Sequence, residues 1–205
     1  MDLLAAVPSV VFGLWGINTL AVTLQPAYAW LNATLGDAPV LGVFFGGTAS
    51  GTGRTILTAS AVLAIMVLPI ITSLCREVFL QTPRLHEEAS LALGATKWEM
   101  IGQAVLPFGR SGIVSACMLG LGRALGETMA VAMVLSPANV ISLLLLTPTN
   151  PNTIAANIAL NFPEAFGLGQ SQLIATGLVL FVITLAVNMA ARAILRRHAE
   201  FSGAN

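Results

Sequence analysis

The sequence predicts an all-α integral membrane protein, and three observations carry that prediction. Hydrophobic residues make up 56% of the 205 and charged residues 9%, where about 25% charged is usual in soluble domains. The charges are spaced to leave long gaps: 3–36, 55–75 and 165–191 contain none. A fourth stretch, 112–135, is apolar apart from Arg123 and Glu127. A helix that crosses a bilayer needs about 20 mostly apolar residues, and each gap holds one. The same composition excludes a disordered chain, which needs low hydrophobicity and high charge. Nine Lys and Arg balance nine Asp and Glu, so no basic surface for nucleic acid is expected.

The expected helices run at about 3–24, 55–75, 112–135 and 171–194, in a single transmembrane domain over 1–205. The first is read as a retained span. Asp2 replaces the basic region of a signal peptide, and the apolar run is too long for one. Pro8 and Pro69 are expected to kink or end their helices. Trp15, Trp30 and Trp98, with Tyr28, suit interfacial belts.

Gly46 to Gly53 is read as a flexible outer loop. It lacks the spacing of a phosphate-binding loop, and the one lysine in the chain is Lys97. Segment 136–163 is uncharged, but its four prolines and five asparagines favour an irregular loop. Within it, Ile141–Leu146 is expected as a re-entrant or interfacial piece.

Loop charges set the orientation. Loop 76–111 holds Arg76, Arg84, Lys97 and Arg110, and the tail holds Arg192, Arg196 and Arg197. Of Lys and Arg, loops 25–54 and 136–170 together hold only Arg54. Loop 76–111 and both termini are therefore expected in the cytoplasm. Cys75 and Cys117 lack metal-ligand spacing and are expected as buried apolar residues. No metal or other cofactor is expected.

Within loop 76–111, Pro83 precedes a helix start. Leu85, Ala89, Ala92 and Leu93 share one helical face, rimmed by Glu87 and Glu88. Gly94 allows a sharp turn at the helix end. A second short amphipathic piece, Trp98 to Val105, leads to Leu106 and Pro107. Two readings fit: a surface helix resting on the lipid interface, or a helix that docks on a soluble partner.

Arg123 and Glu127 stand in the third span. At 1.5 Å per residue from 112, Arg123 lies roughly 17 Å into a layer about 30 Å thick. A charge there costs on the order of 3 kcal/mol. The i, i+4 spacing puts both groups on one helix face. They either neutralise one another and hold helices together, or serve an anion step. In the second case the arginine fork takes oxyanion oxygens, and Glu127 limits how tightly the anion is held. Thr128 lines the same face. Gly122 and Gly126 form a GxxxG spacing that permits close helix approach.

Glu88-Ala89-Ser90, three residues, Gly94, nine residues, then Ala104-Val105-Leu106-Pro107 resembles the EAA loop of ABC-importer permeases. Ser90 and Ala104 depart from the pattern, and the spacing is intact. Pro8 to Gly16, Leu63 to Ile71, Leu91 to Trp98, Gly120 to Val131 and Ala156 to Leu160 are similar to phosphate-importer permeases of the PstC type. The resemblance implies the type I permease fold, with loop 76–111 as the coupling loop. It implies a permease subunit of an ATP-driven inorganic phosphate importer in a prokaryotic inner membrane. It also implies that the chain begins at the family's third helix, without the N-terminal helices.

The partners so implied are a sister permease, an ABC ATPase subunit and an extracytoplasmic phosphate-binding protein. Glu87, Glu88, Ala89, Gly94, Leu106 and Pro107 would couple to the ATPase. Arg123, Glu127 and Thr128 would line the phosphate pathway. Two alternatives stand beside this reading: a permease for another oxyanion such as molybdate or sulfate, and a truncated, non-transporting membrane subunit. An enzyme is not expected. His86 and His198 both fall in cytoplasmic segments, no nucleophile–base pair is apparent, and ATP hydrolysis belongs to a separate subunit.

Overall fold

Uncharged stretches of this length can satisfy their backbone groups inside a bilayer only by forming helices, and they do so here. The computed structural model describes residues 7–138 and 140–199. Its helices are α1 (Ser9–Leu35), α2 (Gly42–Phe45), α3 (Ile56–Leu80), α4 (Arg84–Ala92), α5 (Lys97–Leu125), α6 (Met129–Val134), α7 (Ile154–Asn161) and α8 (Leu168–Ala199). Among the described residues, α1, α3, α5 and the stretch Leu168–Ala193 of α8 are long and apolar enough to cross a membrane. The all-α membrane class is thus observed. Residues 3–6 of the first expected span and Asn139 lie outside the described residues, as do the side chains of Arg196, Arg197 and His198.

Two helices differ most in extent from the expectation; α3 and α8 also run on to Leu80 and Ala199, past the expected ends at 75 and 194. The first was expected to stop at 24, before Pro26, but α1 continues through that proline to Leu35. The segment beyond it is anchored by Tyr28, which is buried and shares a 2.7 Å hydrogen bond with the Thr58 hydroxyl. Tyr28 is therefore a core residue and not part of an interfacial belt. Two polar side chains of α1 are satisfied within the helix: Asn18 donates to the Leu14 carbonyl and Thr23 to that of Thr19. A π-type turn at Gly16–Leu20 lies midway. Pro69 likewise sits inside α3 without ending it.

The second difference concerns 112–135. The helix begins earlier, at Lys97, and ends at Leu125. A separate short helix, α6, follows after Gly126–Thr128. The Glu127 carboxylate accepts the Ala130 amide at 3.2 Å and so caps α6 from outside the preceding helix.

The chain divides into two compact units. The larger contains 6–66 and 124–182. Its core is Ala59 and Val62 of α3, Ala130, Val131 and Val134 of α6, Leu135, and Ala156 of α7. Gly16 of α1 faces Val62 and Val134 so closely that a Cβ there would collide. The glycine-rich stretch is tied down, contrary to the expected flexible loop. Ser50 is buried and donates its amide to the Leu146 carbonyl at 2.7 Å. Asn32 donates to the carbonyls of Phe45 and Gly47. Segment 141–146 is irregular, and Leu146 is fully buried.

The other unit contains, among the described residues, 67–123 and 183–199. Here α3 and α5 approach along a seam of small residues: Gly109 against Phe79 and Val78, Gly112 against Val78, and Gly120 against Val67 and Ile71. Ala116 is buried on the same seam. The GxxxG expected at Gly122 and Gly126 does not form a helical pair. Gly126 lies beyond the helix end, and a Cβ at Gly122 would meet nothing within 4 Å.

Candidate functional site

The segment after α3 is built by strong local signals. Pro83 precedes the first residue of α4. At its other end the Gly94 amide donates to Leu91 at 3.0 Å and the Ala95 amide to Ser90 at 3.3 Å. With Gly94 at φ +89°, this is a Schellman ending, which a residue with a Cβ adopts only under strain. Two residues on, Thr96 and Glu99 form a capping box that starts α5: the Glu99 carboxylate accepts the Thr96 amide at 2.7 Å, and Thr96 accepts the Glu99 amide. The T-x-x-E spacing carried that signal, and the sequence reading passed over it.

The result is a short helix and a turn that present apolar side chains outward. Leu85 is 79% exposed, Leu93 90% and Trp98 83%. Ala89 and Glu88 are also exposed, and Glu87 is half-buried. Leu106 and Pro107 lie within α5, directly after a π-type turn at Ile101–Val105, and both are exposed. An apolar face with an acidic rim, left unpacked by its own chain, is a docking surface in form.

Arg123 stands in the last turn of α5, where the negative end of the helix dipole favours a cation. The helix that carries Arg123 runs from Lys97 to Leu125, so Arg123 stands two residues from its end and not midway along a 112–135 helix. Glu127 and Thr128 consequently leave the α5 face. Glu127 serves as the cap of α6, and Thr128 is that helix's N-cap residue.

Arg123 lines a cavity of about 610 Å³ with Ile70, Ser115, Met118, Leu119, Gly122, Asn188, Ala191 and Arg192. Ser115, Met118, Leu119 and Gly122 follow the i, i+3, i+4, i+7 spacing of one helix face. The contribution of α8 was not foreseen. Arg192 entered the sequence reading only as a tail charge, although its i, i+4 spacing from Asn188 places both on one face.

Arg54, the lone basic residue of its loop, was also missed as a structural group. Its guanidinium donates to the carbonyls of Met133 at 2.9 Å and Leu135 at 2.8 Å, at the C-terminal end of α6. No group of three or more metal-ligating side chains occurs among the described residues.

The chain is similar to known transport proteins. The chain is 52% identical over 198 residues to a protein of Mycobacterium tuberculosis named phosphate transport system permease protein PstC 2, covering 95% of this chain and 59% of the relative. It is 50% identical over 196 residues to the PstC permease of Mycobacterium leprae, covering 95% and 60%. It is 45% identical over 204 residues to that of Xylella fastidiosa, covering 99% and 62%. The chain thus spans about three fifths of the length of these relatives. The family described as binding-protein-dependent transport system inner membrane component matches residues 1–199. With four helices long enough to cross a membrane and a family match over residues 1–199, the chain belongs to this family of transport-system inner membrane components.

Proposed function

We propose that this chain is the permease subunit of an ATP-driven importer of inorganic phosphate, acting as one transmembrane domain that forms the translocation pathway with a sister permease. The observation that carries the reading is Arg123, a guanidinium that lines a helix-walled cavity with no ion-pair partner among the described residues. An arginine fork suits the oxygens of phosphate, and the relatives' names point to the same ion. Glu127 and Thr128 stand where α5 has ended and α6 begins, and breaks in spanning helices are where transporters place ion sites. They are assigned to the pathway with Arg123.

The docking surface fits an ABC ATPase subunit that hydrolyses ATP on behalf of the permease; the chain itself is not the enzyme. Glu87, Glu88, Ala89 and Gly94 receive that subunit, and Leu106 and Pro107 pass the movement into α5. An extracytoplasmic phosphate-binding protein delivers the ion from the other side. The setting is a prokaryotic inner membrane, with loop 76–111 and both termini in the cytoplasm, as the Lys and Arg distribution favours.

The test is uptake of radiolabelled inorganic phosphate by cells that lack their own high-affinity permease, supplied with this chain, the sister permease, the ATPase and the binding protein. Uptake that needs all four components, and that excess sulfate or molybdate does not compete away, supports the reading. Uptake of sulfate or molybdate in place of phosphate would reassign the substrate. Assembly with no anion uptake would refute transport.

A further inference from the structure

The cavity beside Arg123 has a second cation that the pathway assignment does not use. Arg192, one turn beyond Asn188 on α8, lines the same space. Nine residues form the wall; four are polar (Ser115, Arg123, Asn188, Arg192) and none is acidic. Among the described residues the one ion pair is Arg76–Glu77, elsewhere on the chain. Two guanidiniums thus share one cavity without a carboxylate between them. Both are exposed, and each lies within two residues of the end of an apolar span, so a counter-charge can reach them.

The dimensions suit an ion that keeps part of its water. At about 30 Å³ per water, the cavity of about 610 Å³ has room for an oxyanion and several waters. Ser115 and Arg123 lie eight residues apart on α5, roughly 12 Å at the helical rise. The space is therefore longer than one tetrahedral ion. Ile70, Met118, Leu119 and Ala191 supply apolar walls, while Ser115, Arg123, Asn188 and Arg192 are exposed. Gly122 leaves the wall open beside Arg123, since no neighbour requires a glycine there.

We propose that Arg123 and Arg192 together bind a phosphate-type oxyanion in this cavity, with the Ser115 hydroxyl and the Asn188 amide as further contacts. The proposal rests on the permease reading and extends it from one cation to a two-cation site. Two sources present that chemistry: free inorganic phosphate and the headgroup of an anionic lipid.

The experiment uses the chain assembled with its sister permease and ATPase. The complex is reconstituted in nanodiscs of phosphatidylcholine alone, or of phosphatidylcholine with phosphatidylglycerol. Binding of radiolabelled inorganic phosphate and retention of phosphatidylglycerol are measured for the native complex, Arg192→Gln and Arg192→Lys. Asn188→Ala is the second variant, should Arg192→Gln fail to assemble. The expected result is a fall in phosphate affinity of about tenfold or more for Arg192→Gln in both lipids, partly restored in Arg192→Lys. Unchanged phosphate affinity with lost phosphatidylglycerol retention also supports the site and assigns it to the lipid headgroup. If neither ligand responds to Arg192→Gln or Asn188→Ala while the native complex transports phosphate in the four-component cell assay, the two-cation site is overturned and the permease reading stands. A native complex that transports no phosphate in that assay refutes that reading, and the lipid arm then decides the site alone.

Discussion

The guanidinium of Arg54 donates a 2.8 Å hydrogen bond to the carbonyl oxygen of Leu135, across 81 positions of sequence. A second bond of 2.9 Å goes to the Met133 carbonyl. Together they occupy acceptors that the end of α6 leaves unpaired. Asn150, fully buried, donates its side-chain amide to the Arg54 carbonyl at 3.1 Å and fastens the following irregular segment to the same point. The short helix that Glu127 caps at one end is thus held by Arg54 at the other.

Replacing Arg54 by Ala removes those bonds and leaves carbonyls half-buried. Hydrogen bonds to charged donors contribute about 1.5–3 kcal/mol each when sheltered. Arg54 is half-exposed, so a total loss near the lower end, about 2 kcal/mol, is expected. Thermal unfolding of the purified protein in detergent measures it. Arg54→Lys is expected to recover only part, because an ammonium lacks the fork that reaches two carbonyls at once.

Tyr28→Phe tests the anchor beyond Pro26. It removes a buried hydroxyl bonded to Thr58 and changes little volume. Thr58 keeps its bond to the Gly53 carbonyl, so the expected cost is modest, about 1 kcal/mol. The check is a lowered Tm, together with faster proteolysis between Pro26 and Leu35.

The α3–α5 seam makes an opposite pair of predictions. A Cβ at Gly120 would stand 2.7 Å from Ile71 and 2.8 Å from Val67, and Gly120→Val is expected to destabilise by about 1–3 kcal/mol through overpacking. Gly122→Ala has open space and is expected to leave Tm unchanged. Equal losses of Tm for the two variants would contradict the placement of the seam.

At the docking surface, Glu88→Lys inverts an exposed charge on the rim. Gly94→Pro replaces a left-handed glycine whose amide bonds to Leu91. Both are expected to insert normally and to reduce phosphate-stimulated ATP hydrolysis of the assembled complex at least tenfold. Hydrolysis and uptake at native rates would place the ATPase elsewhere.

The four spans were legible because charge spacing and helix length are properties of composition. The break in the third was not. Residues 112–135 are apolar on both sides of Gly126, and hydropathy does not register where a backbone ladder stops. Beyond the break the Glu127 carboxylate accepts the Ala130 amide, a bond made at the start of the next helix. The ending at Gly94 was readable because glycine after an amphipathic run has one common use.

Arg54 and Arg192 were hidden for a different reason. Each counted as a loop charge in the orientation argument. Their actual surroundings, two carbonyls of α6 and a cavity wall on α5, depend on contacts remote in sequence. Tyr28 was misplaced for the same cause, since its partner Thr58 belongs to another helix.

The most direct test of the central claim is phosphate uptake by Arg123→Gln in the four-component system, with expression, insertion and ATPase association measured alongside. The account predicts uptake reduced at least tenfold in an assembled complex of unchanged Tm. Uptake at the native rate would contradict it, because the ion would then cross without the guanidinium that lines the cavity.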